Sequence, residues 1–150
     1  PGLRSGFVAG DADLLAPFKR YRTYHGCAMS QPLQHASIAA WQDEAHVRAN
    51  RDAYREKFSA VTDVLAPVMD FPTPEASFYL WPAVPGGDDI AFTQRLFSEQ
   101  HVSVLPGSLM GRPGQNGLNP GAGRLRLALV AELEPTLEAA KRLRQLVERG

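Results

Sequence analysis

The chain has 150 residues, of which 44% are hydrophobic and 21% charged, a balance typical of a folded domain with a buried core. Sixteen basic residues offset sixteen acidic ones, so the formal net charge is zero and no overall field attracts nucleic acid or an anionic membrane surface. We therefore expect neither nucleic acid nor a membrane as a partner. The single cysteine, Cys27, is typical of a reducing, cytoplasmic location. Because the sequence opens on Pro1 and not on methionine, we also expect it to be part of a longer polypeptide.

The first half of the sequence predicts one strand followed by helices. Residues 6–10 are apolar and bounded by glycines, which is typical of a buried strand. Asp11 offers a capping oxygen for a helix that reaches about Tyr24. A long amphipathic helix is then predicted over residues 32–65, since apolar side chains recur there at helical spacing. They are Tyr54, Phe58, Val61 and Leu65.

The second half alternates strands and helices, which predicts an α/β architecture. Strands are expected at residues 77–81, 102–105 and 125–130, and helices at 89–100 and 135–147. Between the last two strands, residues 111–123 hold five glycines, two prolines and two asparagines. That composition excludes a continuous helix or strand and predicts a long loop of functional importance or high mobility.

Arg4 is a candidate for binding a phosphate. It lies between Gly2 and Gly6 at the mouth of the first predicted strand, where the backbone allows close approach and a guanidinium offers several donors. The alternative is an ordinary surface arginine.

Arg126 is a candidate for binding a carboxylate. It alternates with Leu125 and Leu127, so its side chain lies on the face of the strand opposite the leucines, where a charged group needs a partner. An internal salt bridge or a solvent-facing side chain are the alternatives, and Arg124 on the same face leaves the choice between the two arginines open. The four histidines lack the spacing of metal ligands, so we expect no metal.

Four motifs, taken in chain order, resemble the carboxyl-terminal part of class I/II pyridoxal-phosphate-dependent aminotransferases of fold type I. They are GLRSGFVAGD at 2–11, FYLW at 78–81, VLPGS at 104–108 and GRLRLALV at 123–130. The resemblance implies that residues 1–66 end the large cofactor-binding domain and supply a long bridging helix. It implies that residues 67–150 form the small α/β carboxyl-terminal domain. A homodimer is expected for the full-length protein.

The resemblance also assigns roles to residues. Arg4 matches the arginine that binds the 5′-phosphate of pyridoxal 5′-phosphate, and the Schiff-base lysine lies roughly five residues before Pro1, so no catalytic residue is expected within the chain. Arg126 matches the arginine that binds the substrate α-carboxylate, which selects it over its neighbour two residues earlier. Ser30 and Gln34 fall in a segment that borders the active site near the subunit interface.

The substrates implied are an amino acid and a 2-oxo acid. YHGCAMS at 24–30 and NPG at 119–121 resemble bacterial succinyldiaminopimelate transaminases. This implies amino transfer between N-succinyl-LL-diaminopimelate and 2-oxoglutarate in lysine biosynthesis. The alternatives are an aspartate- or aromatic-type aminotransferase of the same class, a non-catalytic aminotransferase-like sensor domain of a transcription regulator, and a free-standing α/β interaction module.

Overall fold

The structure is a computed structural model that describes residues 2–26 and 28–150. Cys27 and Pro1, with the predictions made from them, lie outside the described residues. The chain divides into two compact units, Pro1–Ala49 and Asn50–Gly150. The predicted domain boundary after residue 66 stays a prediction. Within the described ranges, no helix combines the length and the apolar character that crossing a membrane requires.

The first unit contains helix α1, Ala12–Arg22, and helix α2, Gln31–Gln42. The predicted start of α1 is confirmed, because an Asp11 carboxylate oxygen accepts a hydrogen bond from the Asp13 N–H at 2.8 Å. Helix α1 ends at Arg22, two residues before the predicted end, and Thr23 caps it. The Asp11 side chain therefore fixes the start of this helix, and the Thr23 backbone N–H, which donates to the Arg20 and Tyr21 carbonyls, marks its end.

The strand predicted at residues 6–10 is wrong. These residues belong to no helix or strand, and Phe7 and Val8 are 73% and 62% exposed. A segment becomes a strand only beside another backbone, and the described residues of this unit contain no strand to pair with it. Instead, the Ser5 hydroxyl hydrogen bonds with the Ser37 hydroxyl of α2, and the Phe7 ring meets the Trp41 ring edge-on at 5.4 Å.

The single helix predicted over residues 32–65 is also wrong, since Asp43 interrupts it. Helix α2 ends before Asp43, and helix α3, Glu44–Leu65, begins after it. The Asp43 carboxylate accepts a hydrogen bond from the Ala45 N–H at 3.0 Å and contacts His46 Nδ1 at 2.9 Å. The His46 contact and the Ala45 N–H lower the pKa of Asp43 below its ordinary value. Aspartate competes with helical hydrogen bonding in this way, which explains the break.

The second unit confirms the predicted succession of strand, helix, strand, loop, strand and helix. The strand predicted at residues 102–105 lies instead at Leu105–Pro106, so it shares one residue with the prediction. The other two strands are shorter than predicted, and the last helix extends two residues further at each end. The sheet is antiparallel in the order β1-β3-β2, so β3 is its central strand. The elements are β1 Tyr79–Leu80, α4 Asp89–Gln100, β2 Leu105–Pro106, a 3-10 turn at Gly107–Leu109, β3 Leu125–Ala128 and α5 Leu133–Arg149.

The core of this unit lies between the inner face of the sheet and helices α3, α4 and α5. Each fully buried leucine contributes about 1.5 to 3 kcal/mol relative to an exposed one. The buried side chains of β3 hold the strand in place, and its opposite face can carry polar side chains. The most buried core residues are Val61, Leu65, Leu80, Leu96, Leu125, Leu143 and Leu146.

Candidate functional site

The central strand β3 places Arg126 on the outer face of the sheet. Leu125 is fully buried and Leu127 is 7% exposed, while Arg126 between them is half-buried. Successive side chains of a strand point to opposite faces, so the two leucines enter the core and Arg126 leaves it. The alternation predicted from the sequence is confirmed.

The Arg126 side chain donates no hydrogen bond to the described residues. Its Nε is buried and has no hydrogen-bond partner there, and its guanidinium forms no ion pair with a described carboxylate. The guanidinium carbon lies 4.8 Å from the centre of the Tyr79 ring. A buried donor without a partner costs about 1 to 3 kcal/mol, which favours a bound acceptor at this place.

Arg124, the other arginine on this face, differs from Arg126 in its contacts. Its Nη1 donates a hydrogen bond to the Trp81 carbonyl at 3.1 Å, and its backbone bridges to Ala83. The side chain thus ties the start of β3 to the segment that follows β1. The residue pattern left the choice between the two arginines open, whereas the structure gives Arg124 a hydrogen-bond partner and shows neither a hydrogen bond nor an ion pair for Arg126 among the described residues.

Arg4 lies in the first unit, in an exposed and conformationally restricted position. Its φ of 55° places it in the left-handed region, which is uncommon for a residue other than glycine. With Lys19 and Arg22 of α1 it lines an open groove of about 1080 Å³ whose lining includes no aspartate or glutamate. Three cationic side chains without a carboxylate suit an anion such as a phosphate.

Ser30 and Gln34 lie together at the amino-terminal end of α2. Ser30 is the N-cap residue, but its hydroxyl makes no capping hydrogen bond, and its carbonyl accepts from the Gln34 N–H at 3.0 Å. The Gln34 side-chain amide donates to the Met29 carbonyl at 2.9 Å. Both side chains are exposed. They belong to the same unit as Arg4, and Arg126 belongs to the other.

Sequence reasoning missed Asp89, which joins the two ends of the long loop. Asp89 is 4% exposed, and its carboxylate accepts hydrogen bonds from the Ser108 N–H at 2.7 Å and the Gly123 N–H at 3.3 Å. Burial acts to raise the pKa of Asp89, but hydrogen bonds to its carboxylate, chiefly from Ser108 and Gly123, outweigh it and hold the pKa below its ordinary value. In the sequence Asp89 follows Asp88 at a helix start, so it resembles a second capping residue.

The Asn119 side chain also fixes this loop, through two hydrogen bonds to its backbone. Its amide nitrogen donates to the Ser108 carbonyl at 2.8 Å, and its amide oxygen accepts from the Gly121 N–H at 2.9 Å. Gly121 also packs so closely on Gly107 that a Cβ there would collide with the Gly107 carbonyl. The predicted loop is confirmed. Its ends next to β3 are held by side chains, while its outer part, residues 112–118, is exposed.

The described residues hold no group of three or more histidine, cysteine, aspartate or glutamate side chains arranged to bind a metal ion. His101 adopts the left-handed conformation that caps the end of α4. His25 stacks on the Tyr21 ring at 4.4 Å. These two histidines therefore take part in local packing and capping.

The fold and the sequence together define the class of this protein. The chain matches the family described as aminotransferase class I and II over residues 1–143, and it belongs to this family. The resemblance stated from the sequence motifs is thereby confirmed. The helices and the small sheet are those of a fold shared with solved aminotransferases.

Individual relatives give this membership more detail. The chain is 53% identical to a solved aminotransferase from Neisseria meningitidis, with a TM-score of 0.84 over 97% of this chain and 37% of that one. It is 32% identical to a probable N-succinyldiaminopimelate aminotransferase from Thermus thermophilus, with a TM-score of 0.74 over 91% of this chain and 36% of that one. It is 31% identical to the LL-diaminopimelate aminotransferase of Syntrophobacter fumaroxidans over 97% of this chain. The chain spans 36% of the length of that curated relative.

Proposed function

We propose that this chain is part of a pyridoxal-phosphate-dependent aminotransferase that moves an amino group between an amino acid and a 2-oxo acid. The observation that carries the proposal is the Arg126 guanidinium, whose buried Nε has no hydrogen-bond partner in the described chain and which lies on the central strand of a class I and II aminotransferase. A carboxylate is the group common to all amino acids and 2-oxo acids. Arg126 is thus the residue that binds every substrate.

The chemistry of Arg126 suits that role. A guanidinium offers two parallel N–H donors to the two oxygens of a carboxylate, so it fixes direction as well as position. The strand holds the Arg126 backbone firmly, since its neighbours Leu125 and Leu127 are anchored in the core. A bound carboxylate also satisfies the buried Nε, which otherwise remains without an acceptor. Arg126 orients the substrate and takes no proton.

The residues of the first unit fit the cofactor's phosphate. Arg4 provides the guanidinium, Lys19 and Arg22 line the same groove, and the groove lining contains no carboxylate to repel an anion. When bound, pyridoxal 5′-phosphate supplies an electron sink that stabilises negative charge at the substrate Cα. Arg4 contributes by holding the phosphate in place.

For the substrate, we propose N-succinyl-LL-diaminopimelate, with glutamate and 2-oxoglutarate as the second pair, in lysine biosynthesis. The motifs at 24–30 and 119–121 and the similarity to the Thermus thermophilus protein support this choice. A second candidate is LL-diaminopimelate itself, because several curated relatives at 30–31% identity are named LL-diaminopimelate aminotransferases. The two candidates differ by one acyl group that carries a carboxylate.

We further propose that the full-length protein is a homodimer and that Ser30 and Gln34 border its active site near the subunit interface. Both side chains are exposed, and the Ser30 hydroxyl is not used to cap α2. We also propose that the large domain of the full-length protein ends near residue 66 of this chain and that the small domain follows it.

The test measures amino transfer by the full-length protein with a panel of donors and 2-oxoglutarate as acceptor. The panel contains N-succinyl-LL-diaminopimelate, LL-diaminopimelate, aspartate and phenylalanine. We expect the highest kcat/KM for the succinylated compound. A higher kcat/KM for LL-diaminopimelate selects the second candidate, and one for aspartate or phenylalanine places the protein in another branch of the family. Cofactor binding without transfer from any donor contradicts the proposal and favours a sensor.

A further inference from the structure

We infer that Tyr79 is a positioning residue for the carboxylate site, because its aromatic ring holds the Arg126 guanidinium in the orientation that binding requires. The inference rests on the proposed function, since it deepens the assignment of Arg126. It adds a second residue to the site, one that touches no substrate and acts through the arginine.

The register of the sheet brings the two side chains together. Tyr79 of β1 lies directly opposite Ala128 of β3, and Arg126 is two residues from Ala128 on the same face. Tyr79 and Arg126 are therefore diagonal neighbours, a distance that aromatic and long side chains span. The Ala128 side chain is a single methyl group, so the ring can lean along the strand toward Arg126.

The observed contact has the geometry of a cation–π interaction. The guanidinium carbon of Arg126 lies 4.8 Å from the centre of the Tyr79 ring, inside the roughly 6 Å within which such attraction acts. Since Arg126 has no ion pair or Nε hydrogen bond in the described chain, the ring is the partner that the structure shows for its charged end. The ring therefore limits the directions in which the guanidinium can point.

An aromatic partner suits a binding arginine better than a carboxylate does. A salt bridge would occupy the N–H donors that the substrate needs, and it would cancel the charge that attracts a carboxylate. A ring attracts the guanidinium through its face and leaves the N–H groups at the edge free. Tyr79 thus orients Arg126 without competing for its donors.

A second aromatic ring packs against Tyr79. The Phe78 ring lies 4.2 Å from the Tyr79 ring, and the Tyr54 ring of α3 lies 6.1 Å from Phe78. These contacts restrict the Tyr79 side chain. A row of three aromatic side chains, Tyr79, Phe78 and Tyr54, therefore restricts the position of the Arg126 guanidinium.

The experiment compares Tyr79→Leu with Tyr79→Phe in the full-length protein, using the best amino donor of the panel. Loss of the ring lowers kcat/KM by about two- to thirtyfold, the range expected for one cation–π contact, and most of the loss falls on KM. Tyr79→Phe keeps the ring and restores kcat/KM to within about twofold of the unchanged protein. Phe97→Leu removes a 60% exposed ring of α4 that takes no part in the aromatic contacts around Tyr79, and it serves as the matched control, with unchanged kcat/KM.

A double-mutant cycle with Arg126→Met separates positioning from general damage. If Tyr79 acts through the arginine, Tyr79→Leu has less than about a twofold effect once Arg126 is replaced. Equal losses in both backgrounds, or a loss with Tyr79→Phe as large as with Tyr79→Leu, overturn the inference. A different result contradicts the proposed function itself: an unchanged kcat/KM when Arg126→Met is the only substitution.

Discussion

Replacing the buried carboxylate of Asp89 by an amide should loosen both ends of the long loop. The Ser108 N–H donates to one carboxylate oxygen of Asp89 and the Gly123 N–H to the other, so in Asp89→Asn one of the two donors faces an amide NH₂ in place of an acceptor. The bond to Ser108, at 2.7 Å, loses its charge assistance, and the Gly123 N–H faces an amide NH₂. Weakening the first bond costs about 1 kcal/mol, and leaving the second donor unsatisfied costs about 1 to 2 kcal/mol more. The expected loss of local stability is therefore about 2 to 3 kcal/mol.

Amide hydrogen exchange at Ser108 and Gly123 measures this loss directly. At 1.36 kcal/mol per factor of ten, exchange at these two amides should accelerate by about 30- to 150-fold in Asp89→Asn. Asp88→Asn is the matched control, because the exposed Asp88 only caps α4 through the Ala91 N–H at 2.9 Å. Asparagine caps helices as well as aspartate does, so exchange should change by less than about threefold.

The pH dependence gives a second sign of the same interaction. The pKa of Asp89 in the folded protein lies below the 3.8 of a free aspartate, so the charged carboxylate stabilises the fold at every pH above that value. The contribution declines only as the pH falls below 3.8 toward the folded pKa, and Asp89→Asn lacks this acid-dependent part. Unchanged exchange at Ser108 and Gly123 after Asp89→Asn would refute the reasoning, as would an equal acceleration in Asp88→Asn.

Two further predictions concern the cofactor and the loop. In the full-length protein, Arg4→Ala should weaken pyridoxal 5′-phosphate binding by about 1.5 to 3 kcal/mol, because one charge-assisted contact to the phosphate is lost. A fluorescence titration measures the Kd of the cofactor, and an unchanged Kd opposes the assignment. Shortening the exposed residues 112–118 while keeping Asn119 should alter the ratio of kcat/KM values among donors more than turnover with glutamate, since the held ends leave β3 in place. Steady-state kinetics with the donor panel measure this ratio, and an equal loss for every donor speaks against it.

The sequence predicted well those elements whose signals are local. Helix α4 runs from Asp89 to Gln100 as expected, because Asp88 caps its start and His101 ends it in the left-handed conformation. The alternation around Arg126 was also predictable, since period two needs no knowledge of the partner strand.

Features that depend on distant partners were not predictable in this way. Residues 6–10 have the composition of a strand, but a strand forms only where another backbone pairs with it. The break at Asp43 was missed because the helical periodicity on both sides continues across it, while the His46 contact and the Ala45 N–H favour a local turn. The sheet register that joins Tyr79 to Arg126 likewise depends on pairing between residues far apart in the chain.

The candidate site was predictable only in part. Arg126 could be singled out as a charged residue within an apolar strand, but its distinction from Arg124 needed either a family resemblance or the hydrogen bond to the Trp81 carbonyl. Asp89 carries no sequence signal beyond that of a helix cap, since its partners lie nineteen and thirty-four residues away.

The most direct test of the account is kcat/KM of the full-length protein carrying Arg126→Lys, measured for both an amino donor and a 2-oxo acid acceptor. Lysine keeps the charge but loses the two parallel donors, so we predict a fall of at least about tenfold to a hundredfold for both substrates, on the order of 1.4 to 2.7 kcal/mol. Arg124→Lys is the control, because a lysine ammonium can still donate to the Trp81 carbonyl, and it should retain most of the activity. Wild-type kcat/KM in Arg126→Lys, or greater damage from Arg124→Lys, contradicts the assignment of Arg126 to the carboxylate.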